Sequence, residues 1–369
     1  IQMISLVLGI KKIKAKKNKT EKLSSNQENE PKTTKQKKKS AFKQSASETK
    51  PISKKIGVLG LKAKQLHPWY LQSNDEIAAL GGDMLQVCYG FFDRLMETFP
   101  QDVHCEVLGH ESTGLEIREY WIKPRHIGKM RIAPPEINTF PTLLMISGQH
   151  GQEYSAIVNV MLMLHHMFYE PRQYPTLSLL RSSFHLRIIP CLNPWGVKNA
   201  KRRNARYVDL NRNFSVGWLQ AQGNKGEAAL SEIESQILLN WVKQHKEQTL
   251  CFLNFHDHSD LAVSWGCASE PFSQRILLHA FQKFSVWYHQ HFDDPNPEIS
   301  LTWLGVPRDG YSDKHIGEVL EVPTLLFECP YINHARISNE WSDVRSVSLQ
   351  LLIHVLDRLL AHYYHDQPV

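Results

Sequence analysis

The stretch Pro141-Thr142-Leu143-Leu144-Met145-Ile146-Ser147-Gly148-Gln149-His150-Gly151-Gln152-Glu153 decides the fold class of this chain. Its apolar run has the length of a strand and lacks the alternation of a half-exposed one, which predicts a strand buried on both faces. Gly148 and Gly151 then supply a turn in which backbones can approach closely. The apolar sequence that follows, through Phe168, predicts a helix. Strand, tight turn and helix in succession make the repeating unit of an α/β sheet.

Outward from this unit the pattern repeats. A helix is predicted over Asp83 to Phe99 and stopped by Pro100. Strands are predicted over Val103–Leu108 and Leu115–Lys123 around a glycine-containing turn, then over Phe184–Pro190, Leu250–Phe255 and Thr324–Phe327. Ser231-x-x-Glu234 reads as a capping box that opens a helix with the face Ile233, Ile237, Leu238 and Trp241. Val344, Val347, Leu351, Val355 and Leu359 mark a long C-terminal helix. The expected architecture is α/β, a mostly parallel central sheet covered by helices on both faces, in one domain spanning 74–369.

Composition bounds the function. The 369 residues are 42% hydrophobic and 22% charged, an ordinary globular balance. No run approaches the ~20 apolar residues of a membrane span. The net charge of +6 is unevenly placed: residues 1–56 hold 16 Lys and four Glu, so they carry +12 and the remainder −6. A nucleic-acid-binding core carries the opposite sign, so no nucleic acid is expected to bind the folded part. Residues 1–56 read as a Lys-rich disordered tail, solvated or in contact with an acidic surface such as lipid, RNA or ribosome, and 57–73 as a linker. Six widely spaced cysteines with no C-x-x-C pair suit a reducing compartment. With no evident signal peptide, a cytoplasmic location is expected.

Candidate chemistry lies where predicted strands end. His150 and Glu153, at i and i+3 after the strand, can point an imidazole and a carboxylate at one ion, a donor pair suited to Zn²⁺. His315-x-x-Glu318 is a second copy of that spacing without the strand-turn-helix setting. His256 ends another strand and is a third ligand candidate, with His258 as its rival. Glu328 follows a buried strand, where desolvation raises a carboxyl pKa and suits a general base. The run from Lys201 to Phe214, preceded by Asn193-Pro194-Trp195-Gly196, places Arg among Asn, Asp and aromatic residues and suggests an anion pocket.

Together these pieces resemble the M14 family of zinc carboxypeptidases, from about residue 74 to the C-terminus. The resemblance covers the first helix, the turn Val107-Leu108-Gly109-His110-Glu111-Ser112-Thr113-Gly114, H-x-x-E, N-P-x-G, and Asp209-Leu210-Asn211-Arg212-Asn213-Phe214. The strand-end His and Phe327-Glu328-Cys329-Pro330 complete it. It implies a mixed, mostly parallel sheet and one Zn²⁺ per chain held by His150, Glu153 and His256. It further implies Asp209 orienting His150, Arg202 (or Arg203) polarising the scissile carbonyl, and Asn211 and Arg212 gripping a substrate carboxylate. Tyr311 would cap the substrate and Glu328 act as general base and acid. The implied activity is hydrolysis of an amide bond next to a free carboxylate, in peptides or cell-wall muropeptides. A neighbouring branch implies N-acyl amino acid deacylation instead, as in succinylglutamate desuccinylase and aspartoacylase. A non-catalytic binding module with a basic tail is the alternative outside enzymes.

Overall fold

The computed structural model describes residues 83–125, 140–258, 263–267, 271–291, 301–305, 308–330 and 341–365. The expected tail and linker lie outside them. In chain order the main elements are α1 Met84–Thr98, β1 Val103–His110, β2 Glu116–Ile122, β3 Thr142–Ile146, α2 Tyr154–Tyr169, α3 Pro175–Ser183, β4 His185–Ile189 and α4 Pro194–Lys198. They continue with α5 Ile233–His245, β5 Thr249–His258, β6 Val263–Cys267, α6 Pro271–His291, β7 Leu301–Gly305, α7 Ser312–Val319, β8 Thr324–Pro330 and α8 Trp341–His365.

The strands form one mixed sheet in the order β1-β2-β4-β3-β5-β8-β6-β7. Its centre, β4-β3-β5-β8, is parallel, while β1–β2, β2–β4 and β6–β8 are antiparallel. The β1–β2 pair is antiparallel because a short turn joins it, with Gly114 at φ +90°. All five residues of β3 are buried, as a strand covered on both sides requires. Leu143 and Met145 join a cluster with α1, α2, α3, α6 and α8, whereas Leu144 and Ile146 face α5 and α7. The result is a three-layer α/β/α arrangement.

α1 begins where Asp83 caps it, accepting from the Leu85 N–H at 3.0 Å. The capping box expected for α5 does not form. Its N-cap position is Glu232, with no side-chain cap bond. Ser231 Oγ instead donates to Glu232 and accepts from Asn213 Nδ2 at 3.0 Å, and Glu234 accepts from Asn204. Polar side chains of the 204–213 loop have recruited both box residues. Rotation follows: Leu238, Leu239, Trp241 and Val242 are buried, while Ile233 is exposed.

No described helix is long and apolar enough to cross a membrane.

Candidate active site

The carboxyl ends of β3, β5 and β8 converge at one edge of the parallel core. After β3 the backbone turns through Gly148 at φ +61°. Gly151 packs so closely on the Gly196 carbonyl that an added Cβ would overlap backbone atoms. This contact joins the turn to α4, which starts at Asn193-Pro194: Asn193 Oδ1 accepts from Gly196 N–H at 2.8 Å. The turn thus holds His150 buried and sets Glu153 at the N-cap position, immediately before α2.

His256 reaches the same point from β5. His150 Nδ1 lies 2.7 Å from Glu153 Oε1, and His256 Nδ1 lies 2.8 Å from Glu153 Oε2. The donor atoms of these three buried side chains lie within 4.8 Å of one another. Two imidazoles and one carboxylate, close enough to surround one ion at the ~2.0–2.2 Å of zinc ligation, fit the donor set of an open zinc site. Burial alone would raise the Glu153 carboxyl, but the His150 and His256 rings hold it well below the usual range. His150, against its own burial, is raised above 6.5 by Glu153 and Asp209. Its Nε2 meets Asp209 Oδ1 at 2.9 Å, so a proton on Nε2 leaves the Nδ1 lone pair facing the ligand cluster.

The loop after α4 supplies the cationic side. Arg202 Nε donates to Asp209 Oδ2 at 3.0 Å and its Nη1 to Glu153 Oε1 at 3.3 Å, with 41% of the side chain still exposed. Arg203 turns away and stacks over Tyr207 at 4.8 Å. Of the two sequence candidates, Arg202 is the one in contact with Glu153 and Asp209. Asp209 also caps the turn containing Asn211, accepting from its N–H at 3.1 Å. Arg212 stacks on the Tyr311 ring at 4.4 Å and donates to the Asn211 carbonyl. Asn211 Nδ2 lies 3.5 Å from His256 Nε2.

Glu328 pairs with His256 in the β5–β8 register, so the two side chains leave the same face of the sheet. Burial, with the Glu153 charge adding to it, pushes its carboxyl up to about 8, against the pull of His256. Both strands run further than the sequence suggests, β5 to His258 and β8 to Pro330, so Glu328 lies within its strand. The His258 side chain lies outside the described residues. The second H-x-x-E copy is not a ligand pair: His315 Nδ1 bonds Ser215 Oγ at 2.8 Å and Glu318 is exposed.

Three groups at the site carried no motif. Ser312, at the start of α7, donates its N–H to Asn211 Oδ1 at 3.0 Å, and its Oγ lies 3.2 Å from both that oxygen and Asp313 Oδ2. Asn254 donates to Asp313 Oδ2 at 2.9 Å behind His256. Asp257 bonds the start of α2. Single polar residues with partners 59 to 102 positions away leave no spacing to read.

A three-layer α/β/α sheet with a buried His–Glu–His cluster at the carboxyl ends of its parallel strands defines a scaffold with a candidate metal centre. The zinc carboxypeptidase family matches residues 88–296, more than half of the chain, and the chain belongs to that family. The match includes His150, Glu153, Arg202, Asn211, Arg212 and His256, while Tyr311 and Glu328 lie beyond it. Murein peptide amidase A of Escherichia coli K12 is 30% identical over 130 residues, 31% of this chain and 48% of that protein. A zinc carboxypeptidase of Simulium vittatum is 22% identical over 198 residues, 47% of this chain and 60% of that one. The chain thus spans less than two thirds of the length of either relative. The structure of bovine thrombin-activatable fibrinolysis inhibitor superposes with a TM-score of 0.60 at 14% identity, covering 80% of this chain and 99% of that one.

Proposed function

We propose that the chain is a zinc-dependent hydrolase that cleaves an amide bond next to a free carboxylate, acting as a carboxypeptidase on peptides or cell-wall muropeptides. One observation carries the reading: His150, Glu153 and His256 meet within 4.8 Å, with Glu328 beside His256 in strand register. His150, Glu153 and His256 would hold the metal, whose chemistry is to acidify water and polarise a carbonyl oxygen. Glu328, held in a poorly solvated position, accepts a proton from the attacking water and returns it to the leaving amine. Arg202 directs its guanidinium toward the oxygen on which negative charge develops, and Asp209 and Glu153 fix that direction. Asn211 and Arg212 bind the terminal carboxylate, with the Tyr311 ring against Arg212. The similarity to murein peptide amidase A supports muropeptides as substrates.

Glu328→Gln should leave zinc binding intact and abolish turnover, because the amide cannot take the proton. Full activity in a zinc-loaded variant removes Glu328 from the mechanism. Incubation with muropeptides, plain peptides and N-acyl amino acids, products read by mass, decides the substrate class. Cleavage confined to N-acyl amino acids rejects the carboxypeptidase reading.

A further inference from the structure

Glu153 occupies the N-cap position of α2 yet makes no side-chain cap bond, since its oxygens face His150, His256 and Arg202. A helix start leaves several N–H groups without intrahelical partners, and a buried start needs another acceptor. Asp257 supplies it from a different element. Its Oδ2 accepts from Ser155 N–H at 2.9 Å and its Oδ1 from Ala156 N–H at 2.6 Å. Its own N–H donates to Glu153 Oε2 at 3.2 Å. Strand alternation explains how one residue reaches both: Cys251, Leu253, Phe255 and Asp257 share the β5 face covered by α2, while His256 points to the opposite face.

We propose that Asp257 is a positioning residue that locks the helix-borne and strand-borne metal ligands into one set. Its carboxylate oxygens are engaged by the α2 N–H groups, and it is not among the three clustered donors. Its side chain fixes the first turn of α2, its main chain fixes the carboxylate of Glu153, and the preceding residue is the third ligand. The inference builds on the metallohydrolase reading, so its test measures metal binding directly and not turnover.

The experiment titrates the metal-free full chain with Zn²⁺ by calorimetry and with Co²⁺ by visible absorption. Asp257→Ala should weaken Zn²⁺ binding about 10–100-fold, the usual cost of losing a residue that orients ligands, and alter the Co²⁺ band. Asp257→Asn, whose carbonyl still accepts a backbone N–H, should recover most of the affinity. Leu164→Ala, on the buried face of α2, serves as the control: it lowers the melting temperature and leaves both metal readouts unchanged. A folded Asp257→Ala with wild-type affinity and spectrum overturns the inference. If that variant does not fold, Asp257→Asn and Asp257→Ser decide it: weakening of Ser beyond Asn supports the lock, and equal wild-type affinities reject it. Wild-type protein that binds no metal sinks the metallohydrolase reading itself, whereas a binding wild type with unaffected variants sinks only the role of Asp257.

Discussion

At the scale of single residues, the orientation of Asn211 is set by chemistry that admits one answer. A backbone N–H can only donate, so the atom 3.0 Å from Ser312 N is the amide oxygen. The NH₂ end then faces His256, 3.5 Å from its Nε2, where the proposed function asks for a donor to a substrate carboxylate. The Ser312 hydroxyl lies 3.2 Å from the same oxygen and shares its proton between it and Asp313 Oδ2 at the same distance. Ser312→Ala keeps the first bond and loses the second, worth about 0.5–1.5 kcal/mol for a neutral hydrogen bond. The expected result is a KM raised ~2–10-fold for carboxylate-terminated substrates, with kcat nearly constant. An unchanged KM would show that the backbone bond alone holds the amide. Asn211 itself was legible in Asp209-Leu210-Asn211-Arg212, but nothing in the sequence pointed to Ser312, whose partner lies 101 residues away.

At the scale of elements, short-range signals were read well and rotations were not. The strand-turn-helix unit around His150 was visible because burial of β3 leaves an uninterrupted apolar run, and Gly148 and Gly151 marked the tight turn. Gly151→Ala tests that packing: its Cβ would enter the Gly196 backbone, which cannot swing aside like a side chain. A loss of ~3 kcal/mol or more is expected, seen as a lower denaturation midpoint together with weaker metal binding. The α5 box failed because Asn204 and Asn213, distant in sequence, compete for its residues. That competition buries Glu234, where desolvation raises its carboxyl from 4.5 to about 7. The folded state therefore binds more protons than the unfolded state between those values, and stability falls as pH rises from 4.5 through 7. At ~1.4 kcal/mol per unit the loss reaches at most about 3 kcal/mol. Glu234→Gln removes this dependence, so its stability relative to wild type should increase from pH 5 to pH 8 in urea denaturation. A pH-independent difference would contradict the burial argument.

At the scale of the whole molecule, the site is built from chain segments that only the folded sheet brings together. Glu153 and His256 are 103 positions apart, and Glu328 arrives on the neighbouring strand. The unfolded chain has no such cluster, so a metal bound there stabilises the native state by mass action, by about 4 kcal/mol at a free concentration ~1,000 times Kd. The layers themselves do not depend on it, because the two apolar clusters pack on the sheet faces through Leu143, Met145, Leu144 and Ile146, away from the ligands. Chelation should therefore lower the melting temperature by roughly 8–16 °C, at ~2–4 °C per kcal/mol for a domain of this size, with far-ultraviolet circular dichroism unchanged. Adding Zn²⁺ back should restore the midpoint, and His256→Ala should abolish the response while melting near the chelated wild type. Loss of secondary structure on chelation would mean that the ion supports the core and not only its edge. A melting temperature indifferent to chelator and Zn²⁺ alike would mean that the three side chains meet without holding an ion.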